Sequence, residues 1–267
     1  MKKTRFKFDD TNTLRSEIET KEVTFDSCYS FLQEHNGWRK GKMHLVLGIS
    51  GGGKSTLVRS LLVDLFVHGM ILGNALVWLS EESEEDLENQ VAKVNSRIGS
   101  NTLTTISELS VENLSEAYFE ETLLSDKPDI FFMDNLTTSQ LYEGRSIRDQ
   151  LLFVKKLKTM CIKLNIPFVL IAHTGAEITE NCNRLINMND IRGAKNIVNL
   201  VEYLYLLQRF TLETDFFPTI RIAKSRGHLI SNDIHKLVFN PENITYSKSF
   251  RIPFEEFKEA FKQRRTL

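Results

Sequence analysis

The segment Gly48-Ile49-Ser50-Gly51-Gly52-Gly53-Lys54-Ser55 fits the pattern GxxxxGK[ST] at every position. Glycine has no Cβ, so Gly48, Gly51, Gly52 and Gly53 let the backbone fold tightly and aim its N–H groups at an anion. An ammonium follows at Lys54, with hydroxyls at Ser55 and Thr56. This set suits a polyphosphate: amides and hydroxyls from Ser50 to Thr56 line it, Lys54 reaches its β- and γ-phosphates, and Ser55 ligates Mg²⁺.

Other candidates stand at the ends of apolar runs. Asp134 closes Ile130-Phe131-Phe132-Met133, where a carboxylate beside a phosphate loop orients Mg²⁺; an Asp-Asn turn at Asp134-Asn135 is the plainer reading. Glu81 and Glu82 end Ala75 to Ser80 and precede Ser83, an N-cap whose helix favours Glu84, Glu85 and Asp86 in its first turn. The cap does not explain Glu81 and Glu82, and one of them is placed to polarise an attacking water. A solvated acidic loop is the alternative. His173 ends Leu170-Ile171-Ala172 and is either a phosphate contact or a packed strand end. Lys224 and Arg226 share one face of a strand by alternation and either reach across an interface or lie in solvent.

The elements that position these residues alternate. Strands are expected at 44–47, 75–79, 129–133 and 167–172, with helices at 54–68, 83–98 and 147–164 and a weaker strand and helix between residues 98 and 129. That order implies a mostly parallel sheet covered on both faces. Close-set strands at 201–207, 219–223 and 235–239 read as an antiparallel extension. A short helix is expected over 24–35. The stretch from Thr174 to about Asp190 is the one long irregular segment. Three units follow: a polar N-terminal segment (1–36) with a subunit-linking helix, a core (37–250), and an amphipathic C-terminal helix (251–267) carrying Phe254, Phe257 and Phe261.

From about Gly37 to Asn240 these parts resemble the RecA-like ATPases, and within them the core of DnaB-type hexameric replicative helicases and their small plasmid and phage relatives. The resemblance implies an α/β RecA-like P-loop NTPase fold that hydrolyses ATP with Mg²⁺. It makes Val77-Trp78-Leu79-Ser80-Glu81-Glu82-Ser83 a motif ending in a catalytic Glu. The family's Ser-x-Glu spacing selects Glu82, with Glu81 second. It also gives His173 a γ-phosphate sensor role and likens Asp190-Ile191-Arg192-Gly193-Ala194 to a Leu-Arg-x-Ser segment, with Ala194 in place of Ser. Lys224-Ser225-Arg226 resembles a K-x-R motif that reaches a neighbouring subunit's nucleotide. The partners implied are further copies of the chain in a ring, a hexamer in this family, and single-stranded DNA.

Composition sets limits. The 267 residues carry a formal net charge of −1, which excludes a generally basic nucleic-acid coat. The segments expected to line a ring's channel are poorly basic: Arg145 and Arg148 face Glu143 and Asp149, and Arg184 faces Glu177, Glu180 and Asp190. That motivates a second reading, a RecA-like ATPase that regulates assembly or a protein partner without translocating on DNA. No apolar run is long enough to cross a membrane and the N-terminus lacks a signal-peptide core. Cys28, Cys161 and Cys182 read as free thiols of a cytoplasmic protein. Lys54→Ala is expected to abolish ATP hydrolysis and Asp134→Asn to impair Mg²⁺-dependent turnover; wild-type rates of phosphate release from either variant would refute the phosphate-site reading.

Overall fold

A computed structural model describes residues 27–34, 37–67, 74–94, 103–175, 184–212 and 215–263. The apolar runs become strands. β1 (Met43–Gly48), β2 (Ala75–Leu79), β4 (Ile130–Asp134) and β5 (Phe168–His173) are buried at every position, while β3 (Leu103–Ser107) is buried only at its ends.

Alternation divides the strand side chains between two layers. Met43, Leu45 and Leu47 of β1 and Phe131 and Met133 of β4 enter one core; Val46, Ile130 and Phe132 enter the other. A period of two with apolar residues on both faces is what a sheet covered twice requires. The first core is closed by Phe119 and Leu123 of α4 (Glu116–Asp126) and by Phe153, Val154 and Leu157 of α5 (Ile147–Leu164). The second is closed by Phe31 and Leu32 of α1 (Ser30–Gln33), Leu57, Leu61 and Leu65 of α2 (Lys54–Val67), and Leu87 and Val91 of α3 (Glu84–Val94).

The sheet has nine strands in the order β3-β2-β4-β5-β1-β6-β7-β8-β9. Pairs from β3 to β6 (Tyr203–Leu212) are parallel; those through β7 (Asp215–Ser225), β8 (Ile234–Asn240) and β9 (Thr245–Ile252) are antiparallel. The fold class and the antiparallel extension are therefore as the sequence indicates. A last helix, α6 (Phe254–Gln263), packs Phe257 against Phe210 and Ile234.

Several boundaries differ for physical reasons. β6 and β7 form a hairpin paired from Tyr203↔Ser225 to Leu212↔Asp215, so both outrun their apolar runs. β9 was not expected, because half of its positions are exposed and it lacks an apolar run; it also carries the sheet to Ile252, past the boundary at 250. The helix expected over 24–35 is only α1, since Tyr29 instead makes a β-bridge to Ser249. Residues 24–26 and 35, the ends expected for α2 and α3 (68 and 95–98), residues 176–183 (with Cys182) and 264–267 lie outside the described residues.

One buried carboxylate ties the edge of the sheet to the chain beyond β4. Glu108 accepts from Trp78 Nε1 (2.7 Å), the Gln140 amide (2.8 Å) and the Ser139 hydroxyl. A buried acid with every oxygen engaged is a brace.

Leu45 is wholly buried in the strand that delivers the phosphate loop. Leu45→Ala is expected to cost about 2–5 kcal/mol of unfolding free energy in a urea titration.

Candidate active site

Register brings the candidates to one edge. Gly48 pairs with His173 and with Leu207, and Leu79 pairs with Asp134, so β1, β2, β4 and β5 end together. β5 separates β1 from β4; at ~4.8 Å per strand the loop after Gly48 lies about 10 Å from Asp134. Lys54 and Ser55, opening α2, span that gap. A crevice at strand carboxyl ends beside a helix N-terminus is where open α/β sheets bind ligands.

Gly51 and Gly53 adopt positive φ (70° and 87°). A Cβ at Gly53 would also overlap the Tyr246 hydroxyl from β9. At Gly48 a Cβ would lie 3.0 Å from the Leu207 carbonyl oxygen. Gly52 N–H donates to the Ile49 carbonyl (3.1 Å), closing the turn, and Ser50 and Gly51 are exposed at its crest.

The charges inside are strongly coupled. Lys54 is buried and donates to the Ile49 carbonyl at 2.7 Å; burial lowers its pKa to about 8, against the pull of Asp134 and Glu81. Burial raises Asp134 to about 6, although a hydrogen bond with Ser55 and the Lys54 charge oppose that rise. Glu81 contacts His173 Nε2 at 3.1 Å, and that hydrogen bond, with help from Thr138 and Lys54, holds its pKa below the usual range. Glu82 turns instead toward α2, 4.0 Å from Arg59.

Ser80 explains why a serine precedes these acids. Its hydroxyl accepts from the Asn135 amide (2.9 Å), donates to the Asn135 carbonyl (3.0 Å) and meets Thr138 Oγ1 (2.7 Å), locking the tip of β2 to that of β4. Thr137 accepts from the His173 amide at 2.9 Å and fixes the third tip. Arg59, Thr137, Thr138 and Tyr246 were missed from sequence. Arg59 alone carried a signal, lying one helical turn beyond Ser55.

Lys224 and Arg226 are not part of this cluster. They do share a face: Lys224 Nζ donates to the Val198 carbonyl (2.6 Å) and Arg226 Nη2 to the Asn199 carbonyl (2.9 Å), with Glu202 3.8 Å from Arg226. Leu207, level with Gly48, pairs with Ile220, whereas Lys224 pairs with Leu204. At ~3.3 Å per residue, Lys224 is about 13 Å and Arg226 about 20 Å further along the strand, toward the opposite end of the sheet.

The donor set suits a metal-bound polyphosphate. Buried polar atoms without a hydrogen-bond partner gather here: Arg59 Nε, Glu82 Oε2, Asn135 Nδ2, His173 Nδ1 and Thr174 Oγ1. Such atoms are costly in a protein interior and are met by a ligand or water. The Ser55 hydroxyl and Asp134 carboxylate supply the hard oxygens that Mg²⁺ takes alongside phosphate. Among the described residues no cluster of three His, Cys, Asp or Glu side chains could hold a metal ion.

The fold has a counterpart among solved structures. A KaiC-like protein of the hyperthermophilic archaeon Pyrococcus horikoshii superposes over 87% of this chain and 100% of its own, with a TM-score of 0.63 and 14% identity. The chain has a RecA-like fold. No family model and no curated protein matches the sequence. No described helix is long and apolar enough to cross a membrane.

Asp134 must be ionised to hold a cation, and its pKa of about 6 sets the window. Protons compete with Mg²⁺ below that value, so the Mg²⁺ concentration for half-maximal nucleotide binding should rise about fourfold from pH 7.5 to 5.5. A titration that is flat over this range would contradict the assignment.

Proposed function

We propose that the protein is a Mg²⁺-dependent ATP hydrolase whose site is completed by a second copy of the chain. The observation that carries this is the convergence of Lys54, Ser55, Asp134, Glu81 and His173 on one crevice, with unpartnered polar atoms around it.

Amides of Gly51 to Thr56 and the α2 N-terminus would bind the phosphates, and Lys54 would neutralise charge at the β,γ bridge. Mg²⁺, when bound, screens phosphate charge, and Ser55 and Asp134 would hold it. Glu81 is the proposed base. Its carboxylate is kept ionised by His173, Thr138 and Lys54, so it can accept the proton of a water attacking the γ-phosphorus. The spacing argument selects Glu82 instead, whose carboxylate leans toward Arg59. His173 is fixed through Thr137 and Glu81, and with both ring nitrogens protonated it would donate its buried Nδ1–H to the γ-phosphate while Nε2–H donates to Glu81.

Lys224 and Arg226 are too far away to serve their own protomer, so they would act on a neighbour's nucleotide. A contact between the two ends of the molecule is heterologous and closes into a ring or continues as a filament. The reading we favour is a DnaB-like ring motor, a hexamer acting on single-stranded DNA. One observation supports the alternative, a RecA-like regulator that does not translocate: Arg145, Arg184 and Arg192 are paired with Glu116, Asp190 and Glu143, which leaves these arginines less available to DNA phosphates. Stimulation of ATP hydrolysis by single-stranded DNA distinguishes the motor from the regulator.

Glu81→Gln should bind ATP and turn over at least ~10²-fold more slowly, with Glu82→Gln less affected. The opposite ranking would return the base to Glu82. Arg226→Ala should likewise bind ATP and hydrolyse it poorly. Mixed with Glu81→Gln it should regain activity, because one interface then pairs an intact Glu81 with an intact Arg226. A mixture that exchanges subunits yet stays inactive would refute the shared site.

A further inference from the structure

Arg59 lies on α2 one turn past Ser55 and is only 7% exposed. Burying a guanidinium is costly unless its N–H groups find acceptors. Here they are poorly met. Nη2 donates to the Thr56 hydroxyl at 3.1 Å, Nη1 is 4.0 Å from Glu82 Oε1, and Nε has no hydrogen-bond partner. Glu82 is equally under-served, since its Oε2 is buried without a partner. A structural brace looks different: Glu108 has each oxygen engaged. The Arg59–Glu82 pair is long and about a third of the Glu82 side chain meets solvent, so its strength is small.

Thr56 supplies the remaining piece. It is the last hydroxyl of the phosphate loop, and the fork of Arg59 rests on it. We propose that Arg59 is a second phosphate-binding cation of this site, one that exchanges its loose contact with Glu82 for an oxygen of the nucleotide's α- or β-phosphate. The proposal rests on the reading of Gly48 to Thr56 as a nucleotide site and adds a ligand to it. A phosphate oxygen accepts charge-assisted hydrogen bonds from a planar fork better than a carboxylate held at 4.0 Å. The exchange gives the unmet Nε an acceptor and frees Glu82 toward Asp134, whose carboxyl already feels its charge.

The test is calorimetric titration of the full chain with Mg²⁺ and ADP, which lacks a γ-phosphate and so reads the inner phosphates alone. Arg59→Met should bind ADP at least about tenfold more weakly than wild type. Arg59→Lys keeps the charge and stem but loses the fork, and should fall between the two. Glu82→Gln removes the competing carboxylate and should bind ADP at least as tightly as wild type. Thermal melting of each variant controls for folding; if Arg59→Met melts far below wild type, Arg59→Lys carries the test. Wild-type ADP affinity in a folded Arg59 variant, with only turnover reduced, would overturn the proposal and make Arg59 a prop for Glu82. Lys54→Ala in the same assay keeps the two readings apart. If wild type binds ADP and Lys54→Ala does not, a null result at Arg59 counts against Arg59 alone. If wild type fails to bind ADP, the nucleotide site itself is wrong.

Discussion

A buried ammonium and a buried carboxylate face one another at the tips of the parallel strands, and the surrounding architecture serves to keep them there. Burial pushes Lys54 down to about 8 and Asp134 up to about 6, so each is drawn toward neutrality by its setting and toward charge by the other. Water would relieve both but has little access. What fixes them is covalent and local: Lys54 begins α2 directly after a turn that only glycines allow, and Asp134 ends a strand locked through Ser80 to its neighbour. The parallel sheet is needed because it alone delivers β1, β2, β4 and β5 to the same edge with the same polarity.

Much of this was legible in the chain because burial on both faces writes itself as continuous apolar runs. Ile130 to Met133 and Phe168 to Ala172 are such runs, and each ends at a residue that faces the crevice. The helix from Ile147 to Leu164 was readable to the residue, since Ser146 caps it and Asn165 terminates it in the left-handed region. The glycine pattern fixed the turn. What could not be read was long-range pairing. β9 is half exposed, so no periodic apolar signal marks it, yet it brings Tyr246 onto Gly53. The choice between Glu81 and Glu82 shows the same limit. Spacing from Ser80 favours one, while the position of His173, 92 residues away in sequence, draws in the other.

The antiparallel strands give the molecule two chemically distinct ends. One carries the acidic tip of β2 and the phosphate loop. The other carries Lys224 and Arg226, held over the carbonyls of Val198 and Asn199. Glu202 steadies that end: it is buried, accepts from the Met43 amide at 3.0 Å, and pairs with Lys158 as well as Arg226. On the proposed shared-site reading, such polarity would suit head-to-tail association better than a two-fold dimer, in which like ends would meet.

The brace at Glu108 has an optical side. The chain has two tryptophans, and both indoles are fully buried. Trp38 stacks edge-on against His44 at 4.8 Å, while Trp78 donates to a carboxylate and meets Phe119 edge-on at 4.8 Å. Their emission should therefore be blue-shifted, with separable contributions, because Trp78 Nε1 donates to the Glu108 carboxyl group whereas Trp38 Nε1 has no hydrogen-bond partner. Trp78 lies on β2, three residues before Glu81, which follows the strand's end, and its anchor also holds Gln140 and Ser139 beyond Asp134. A Trp38→Phe background would turn the remaining indole into a built-in fluorophore for the crevice, with no label attached.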